Sequence, residues 1–305
     1  MSVEASYPRD MVGYGKNPPH PQWPRGARVA IQIALNYEGG AETSILHGDP
    51  ASEFALTDTT FPAFEGKRSV LVESSFEYGT RVGTWRLLRI LNERDIKCSF
   101  LAVGMAIERN PDIAVAAHAD GHEIIGHGYR WIDYNAVPEE VERESIARTV
   151  DCVKRITGHR ITGWMTGRPS VNTRRLLVEE GGFLYDRDSL ADELPFWTRV
   201  DGKNHLCVPY SYEMNDMRCN AIGGFITGEH FYTYLKDAFD VLYAEGETQP
   251  RLMTVAIHDR IMGRPGRAAG FIRFLDYALK HDKVWFARGD EIARHWMEKF
   301  PATAA

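Results

Sequence analysis

The run Gly121-His122-Glu123-Ile124-Ile125-Gly126-His127-Gly128-Tyr129-Arg130-Trp131 sets an imidazole, His127, four residues ahead of an indole, Trp131. Two histidines at that spacing can grip one metal ion from one face of a helical turn. An indole N–H is only a donor and has no lone pair to offer a metal. The pattern reads as a metal motif with one ligand replaced. It points to altered chemistry inside an enzyme-like chain.

The other candidate groups stand where short β-rich runs end. Those ends carry Glu38, His127, Arg168, Asp186 or Asp188, and His258. A carboxylate, two imidazoles and a guanidinium at the carboxyl ends of parallel strands are the parts of a hydrolytic site. The Gly39-Gly40 turn after Glu38 offers backbone N–H groups to an oxyanion. Each group also has a plainer reading. Glu38 can be a solvated acid, His127 a hydrogen-bonded structural histidine, Arg168 a loop brace, and Trp131 and Trp164 core aromatics. Asp186 and Asp188 read as loop acids.

The elements that must position these groups alternate. Strand-like runs fall at 29–35, 98–103, 122–125, 161–165, 183–185, 206–209, 252–257 and 284–287. Helical spacing begins near Thr80, with Val82, Trp85, Leu88 and Leu91 on one face. Further helices are expected after Asn110-Pro111, over 138–156, from Asn172 to Gly181-Gly182, and over 230–244, 268–281 and 290–300. This βαβα order implies an α/β fold with a parallel sheet, and so many units favour closure into a barrel. Residues 1–27, rich in Pro and Gly, read as an extended arm, and 28–305 as one catalytic domain. The stretch at about 41–79 lacks periodicity and reads as an insertion or a long active-site loop.

Composition narrows the partners. The 305 residues are 44% hydrophobic and 26% charged, enough for a sizeable core. A net charge of −6 with no dense basic run argues against nucleic acid and anionic membrane. The four cysteines, Cys98, Cys152, Cys207 and Cys219, show no CxxC spacing and fit reduced thiols. Residues 1–10 lack the apolar core of a signal peptide, and no apolar run is long enough to span a bilayer. A cytoplasmic protein is the expectation.

Several motifs taken in order resemble the polysaccharide-deacetylase (NodB-homology) family over about residues 28–295. Asn36-Tyr37-Glu38-Gly39-Gly40 looks like the counterpart of the family's opening Thr-Phe-Asp-Asp-Gly, and His127…Trp131 that of its His-x-x-x-His. Thr166-Gly167-Arg168-Pro169 matches its Arg-x-Pro motif, and Val255-Ala256-Ile257-His258 its late strand ending in histidine. The resemblance implies a distorted, seven-stranded (β/α) barrel. It makes Glu38 the base, Arg168 its brace and His258 the acid, and it marks Gly39 and Trp131 as lost metal ligands. With Glu77-Tyr78-Gly79-Thr80-Arg81-Val82-Gly83 and Thr166–Asn172, the pattern is similar to the metal-independent allantoinase branch.

That branch implies hydrolysis of the hydantoin ring amide of allantoin in purine breakdown, without metal or other cofactor. The ring expels a ureide nitrogen far less basic than an amine, so a base, an acid and hydrogen-bond donors suffice. His127 is expected to hydrogen-bond the carbonyl or the water. Tyr37, Gly39, Trp131 and Trp164 are expected at the substrate, with Trp131 walling a pocket for a flat heterocycle. The resemblance also implies a homotetramer. The competing readings are a metal-dependent N-deacetylase of amino sugars that recruits Asp133 or Asp188, a hydrolase of another hydantoin or cyclic imide, and a pseudoenzyme that binds a heterocycle.

Overall fold

In the computed structural model, which describes residues 8–220 and 223–302, nine strands form one curled sheet. The first, β1 (Val29–Tyr37), is buried along its whole length and lies near the centre. It is flanked by β8 (Arg251–His258) on one side. On the other, its early residues meet β9 (Val284–Phe286) and its late ones meet β2 (Ser99–Ala102). Beyond β2 follow β3 (Glu123–Gly126), β4 (Gly163–Trp164), β5 (Tyr185–Asp186), β7 (Lys203–Cys207) and the edge strand β6 (Phe196–Val200). All pairings are parallel except that of β6 with β7, an antiparallel hairpin absent from the sequence expectation. The sheet holds nine strands where the resemblance implies seven; eight of them lie on the strand-like runs marked in the sequence, and β6 is the one those runs omit.

The gap between the sheet's two ends is laced rather than paired. Ala256 N–H donates to Met214 O, and Leu252 N–H to Glu193 O. Gln32 Nε2, inside the barrel, reaches Pro209 O at 3.2 Å and Thr254 Oγ1 at 2.7 Å.

Register places the site. Asn36 pairs with His258, Tyr37 with Ala102, Ala102 with Gly126, Gly126 with Trp164, and Trp164 with Asp186. The strands therefore end level with one another, and the residues just past those ends converge. Because side chains alternate along a strand, Asn36 and Glu38 face the barrel interior while Tyr37 faces the helices.

Helices α1 (Val70–Tyr78) and α2 (Thr84–Asn92) are joined by a π-helical turn, Gly79–Gly83. The extra residue in that turn rotates the face that follows. The buried apolar residues of α2 are thus Leu87, Leu88, Ile90 and Leu91, whereas Val82 and Trp85, expected inside, are exposed. Gly79 and Gly83 permit this turn to lie against the short helix Asp259–Met262. A Cβ on Gly79 would sit 2.6 Å from Asp259 Oδ1, and one on Gly83 2.1 Å from Asp259 O.

Part of the arm within the described residues is pinned to the barrel. Trp23 is buried against Trp285 and Trp296 and donates to Arg251 O at 3.2 Å. Residues 1–7 of the proposed arm lie outside the described residues. No helix among those described is long and apolar enough to cross a membrane.

Candidate active site

At the carboxyl end of β1, Glu38 lies buried between three cationic or potentially cationic side chains. Arg260 Nη1 stands 2.6 Å from Oε2, His127 Nε2 3.1 Å from Oε1, and His258 Nε2 3.7 Å from Oε1. Burial pushes the Glu38 carboxyl up, but the Arg260 charge, followed by His258 and His127, outweighs it and holds the group far below the usual carboxylate range.

Each histidine has its tautomer set by its other nitrogen. His127 Nδ1 meets the Met165 carbonyl, which can only accept, so this nitrogen carries a hydrogen. Its 3.1 Å contact with Glu38 then needs a proton between Nε2 and Oε1. His127 thus orients the carboxylate. His258 Nδ1 lies 2.6 Å from Asp216 Oδ1, and Asp216 Oδ2 also accepts the backbone N–H groups of His258 and Met262 at 2.8 and 3.1 Å. Burial lowers the proton affinity of His258, but the charges of Asp216 and Glu38 win and raise its pKa. Its Nε2 is left facing the site as a proton donor.

These groups open onto a cavity of about 250 Å³ lined by Asn36, Glu38, His127, Trp131, Tyr210 and His258, among others. The insertion contributes a cover. Ala55 and Leu56 line the cavity, and Leu56, with φ of 53°, turns its carbonyl to accept Arg260 Nε–H at 2.9 Å. Tyr212 O–H donates to Gly167 O at 3.1 Å across the mouth.

Several expected residues take other places. Arg168 does not touch Glu38; its guanidinium stacks 4.1 Å from the Trp131 ring and sits 3.7 Å from Glu53, at the cavity wall. Arg260 holds the base instead. Tyr37 points away from the cavity, packing on Phe100 and hydrogen-bonding Thr80. Trp164 is a core residue against Phe183 whose indole N–H donates to Thr166 Oγ1 at 2.7 Å. Gly39 lies under α1, and the Gly40 N–H is taken by Glu42 Oε2 at 2.6 Å, so it does not meet an oxyanion. Trp131 does line the cavity, as expected. Arg260 and Asp216 were missed. The sequence holds a partial signal for Arg260, since it follows His258 by two residues at a strand end.

The residues do not fit a metal. Gly39 brings no donor, and a Cβ there would lie 2.9 Å from Phe76 O. The guanidinium of Arg260, packed 4.2 Å from Phe76 and 5.1 Å from Trp131, puts a fixed positive charge beside the missing ligands. Asp133 caps Asn135 N–H at 2.9 Å, and Asp188 accepts from Thr166 N–H and Oγ1–H at 2.8 and 2.9 Å, so neither stands in. Among the described residues no group of three or more His, Cys, Asp or Glu side chains is placed to hold a metal ion. Asp186 is a structural anion, clamped by Arg174 at 2.7 and 3.0 Å and by His205 at 3.1 Å.

Comparison with known proteins agrees with this architecture. Residues 66–180 match the model of the polysaccharide deacetylase family. A Schizosaccharomyces pombe protein assigned to the polysaccharide deacetylases is 36% identical over 97% of this chain and 99% of its own length. The chain belongs to the polysaccharide deacetylase family. Two solved structures of family-like fold are also similar. One, from Pseudomonas aeruginosa PAO1 and described as a polysaccharide deacetylase, is 50% identical with a TM-score of 0.95, covering 97% of this chain and 100% of that one. The other, PuuE allantoinase, is 49% identical with a TM-score of 0.96, covering 97% and 99%. As a member of this family the protein is a hydrolase acting on carbon–nitrogen bonds.

Proposed function

We propose that this protein is an allantoinase that opens the hydantoin ring amide of allantoin to give allantoate, using protein side chains alone. The observation that carries the reading is the pairing of Glu38 with Arg260 behind a small cavity that Glu38, His127 and His258 line. A volume of about 250 Å³ falls below the roughly 300–1,000 Å³ of sites for drug-sized ligands, and it suits a compact heterocycle better than a polysaccharide chain. The similarity to PuuE allantoinase supports the same substrate.

The chemistry follows from the geometry. Glu38 Oε1 holds the attacking water and takes its proton as the C–O bond forms. Arg260 and the imidazoles make Glu38 a weak base at rest. When His258 Nε2 later gives its proton to the departing nitrogen, a positive charge 3.7 Å from Oε1 is lost, which favours Glu38 keeping the proton it has already taken. The Trp131 ring, braced by Arg168, provides a flat wall for the ring plane.

The test is a paired assay of chelator-treated protein of verified low metal content. Ring opening of allantoin is expected to persist, with little deacetylation of N-acetylglucosamine oligomers. Loss of turnover that returns with Zn²⁺, Mn²⁺ or Co²⁺ would overturn the reading.

A further inference from the structure

We propose that the Tyr210 hydroxyl is the donor that holds the substrate's carbonyl oxygen as it becomes negative, and that the buried Arg187 guanidinium polarises this phenol from behind. The proposal rests on the amide-hydrolase reading of the site.

Hydrogen-bond accounting leads to it. Tyr210 is buried and lines the same cavity as Glu38 and His258. Its oxygen receives Asn36 Nδ2–H at 3.2 Å and Asn215 Nδ2–H at 3.4 Å. Both amide orientations are fixed by backbone partners. Asn36 Nδ2 also faces the carbonyl of Ile257 at 3.1 Å, and Asn215 Oδ1 accepts Met217 N–H at 2.8 Å. With two donors on its oxygen, the phenol has its own hydrogen left over for the cavity. Burial raises the Tyr210 pKa, so that hydrogen stays in place at working pH. Of the Gly39-Gly40 backbone N–H groups expected for this task, that of Gly40 is already bonded to Glu42.

Arg187 completes the arrangement. It is fully buried, and Nε, Nη1 and Nη2 have no hydrogen-bond partner among the described residues. Its Cζ lies 5.2 Å from the centre of the Tyr210 ring. A cation there draws electron density from the ring and makes the O–H a stronger donor without ionising it.

The electrons balance. Water oxygen bonds to the carbonyl carbon, the C=O π pair moves to oxygen, and Tyr210 O–H hydrogen-bonds that oxygen while Glu38 takes the water proton. Collapse restores C=O and breaks C–N, and the nitrogen takes its proton from His258.

Tyr210→Phe removes only the hydroxyl. On allantoin its kcat is expected to fall by about 10²–10³-fold with KM within a few-fold of wild type. Arg187→Met is expected to lower kcat about tenfold when Tyr210 is present and to add nothing in the Tyr210→Phe background. Should Arg187→Met fail to fold, 3-fluorotyrosine at position 210 makes the phenol more acidic without touching Arg187 and should raise kcat. A Tyr210→Phe enzyme within threefold of wild-type kcat, or altered only in KM, overturns the donor role. An equal loss from Arg187→Met in both backgrounds, or a fall in kcat with the fluorinated residue, overturns the polarising role. Wild type inactive on allantoin and hydantoin defeats the substrate reading instead. The same variants are then compared on N-acetylglucosamine oligomers, whose amide carbonyl needs the same donor, and inactivity there too overturns both.

Discussion

Arg260 Nη1 lies 2.6 Å from Glu38 Oε2, with both side chains sealed from solvent. The pair places a permanent cation on the carboxylate that the water needs. The same guanidinium donates to the carbonyl of Leu56 in the covering loop, so the base and the cover share one anchor.

Replacing Arg260 by Met should move the acid limb of kcat/KM upward by more than one pH unit. Activity needs ionised Glu38, whose pKa is held down chiefly by Arg260 against burial. Without the guanidinium, burial pushes that pKa towards or above the ordinary value of about 4.3. The ion pair's contribution to stability has the matching sign. It is present above the ordinary glutamate pKa and is lost as pH falls through the depressed folded value. A pH–rate profile unchanged in its acid limb would remove Arg260 from this role.

Glu38→Gln keeps shape but cannot take a proton as a carboxylate does. The expected fall in kcat is about 10²–10⁴-fold, with a much smaller change in substrate binding. Stopped-assay rates alongside calorimetric binding decide it. Near-normal kcat would require another base.

Asp216→Asn should lower the pKa of His258, because Asp216 is the leading charge that raises it against burial. The protonated acid is needed for nitrogen departure, so the basic limb should shift to lower pH and kcat should fall. The associated stability is present below the ordinary imidazole pKa of about 6.5 and is lost as pH rises through the raised folded value. NMR titration of the His258 ring protons in both proteins reads the shift directly. A His258 pKa equal to wild type would dismiss Asp216 as its electrostatic partner.

Gly39→Asp with Trp131→His restores the residue types of a metal site, yet it should not restore the site. The new Cβ at 39 meets Phe76 O at 2.9 Å, and Arg260 stays beside the intended ion. The variant is expected to melt lower, by roughly 1–3 kcal/mol of overpacking, with weak zinc uptake and reduced allantoin turnover. Stoichiometric, tight zinc binding at unchanged Tm would contradict the packing argument.

The order of the elements was legible because each strand and helix leaves a local period or cap in the chain. The level strand ends then made Glu38, His127 and His258 readable as neighbours, and the register from Asn36–His258 to Gly126–Trp164 brings them together. Local signals failed where neighbours decide. The π turn at Gly79–Gly83 rotated the α2 face, and β6, an edge strand with no fully buried side chain, left no apolar run that stands out.

What the sequence by itself determined is therefore the α/β architecture and the residue types at the strand ends, because periodicity and turn chemistry act over a few residues. Only the tertiary structure decided which cation braces Glu38, which nitrogen of each histidine faces it, and which aromatic ring meets the cavity. Arg168 and Arg260 are equally plausible along the chain, and so are Tyr37 and Tyr210. They are separated by strand alternation, by the stacking of Arg168 on Trp131, and by partners such as Asp216 and Asn215, which come from the segment that closes the barrel's open side. Charges and hydrogen bonds act through space, and that space exists only once the sheet has curled.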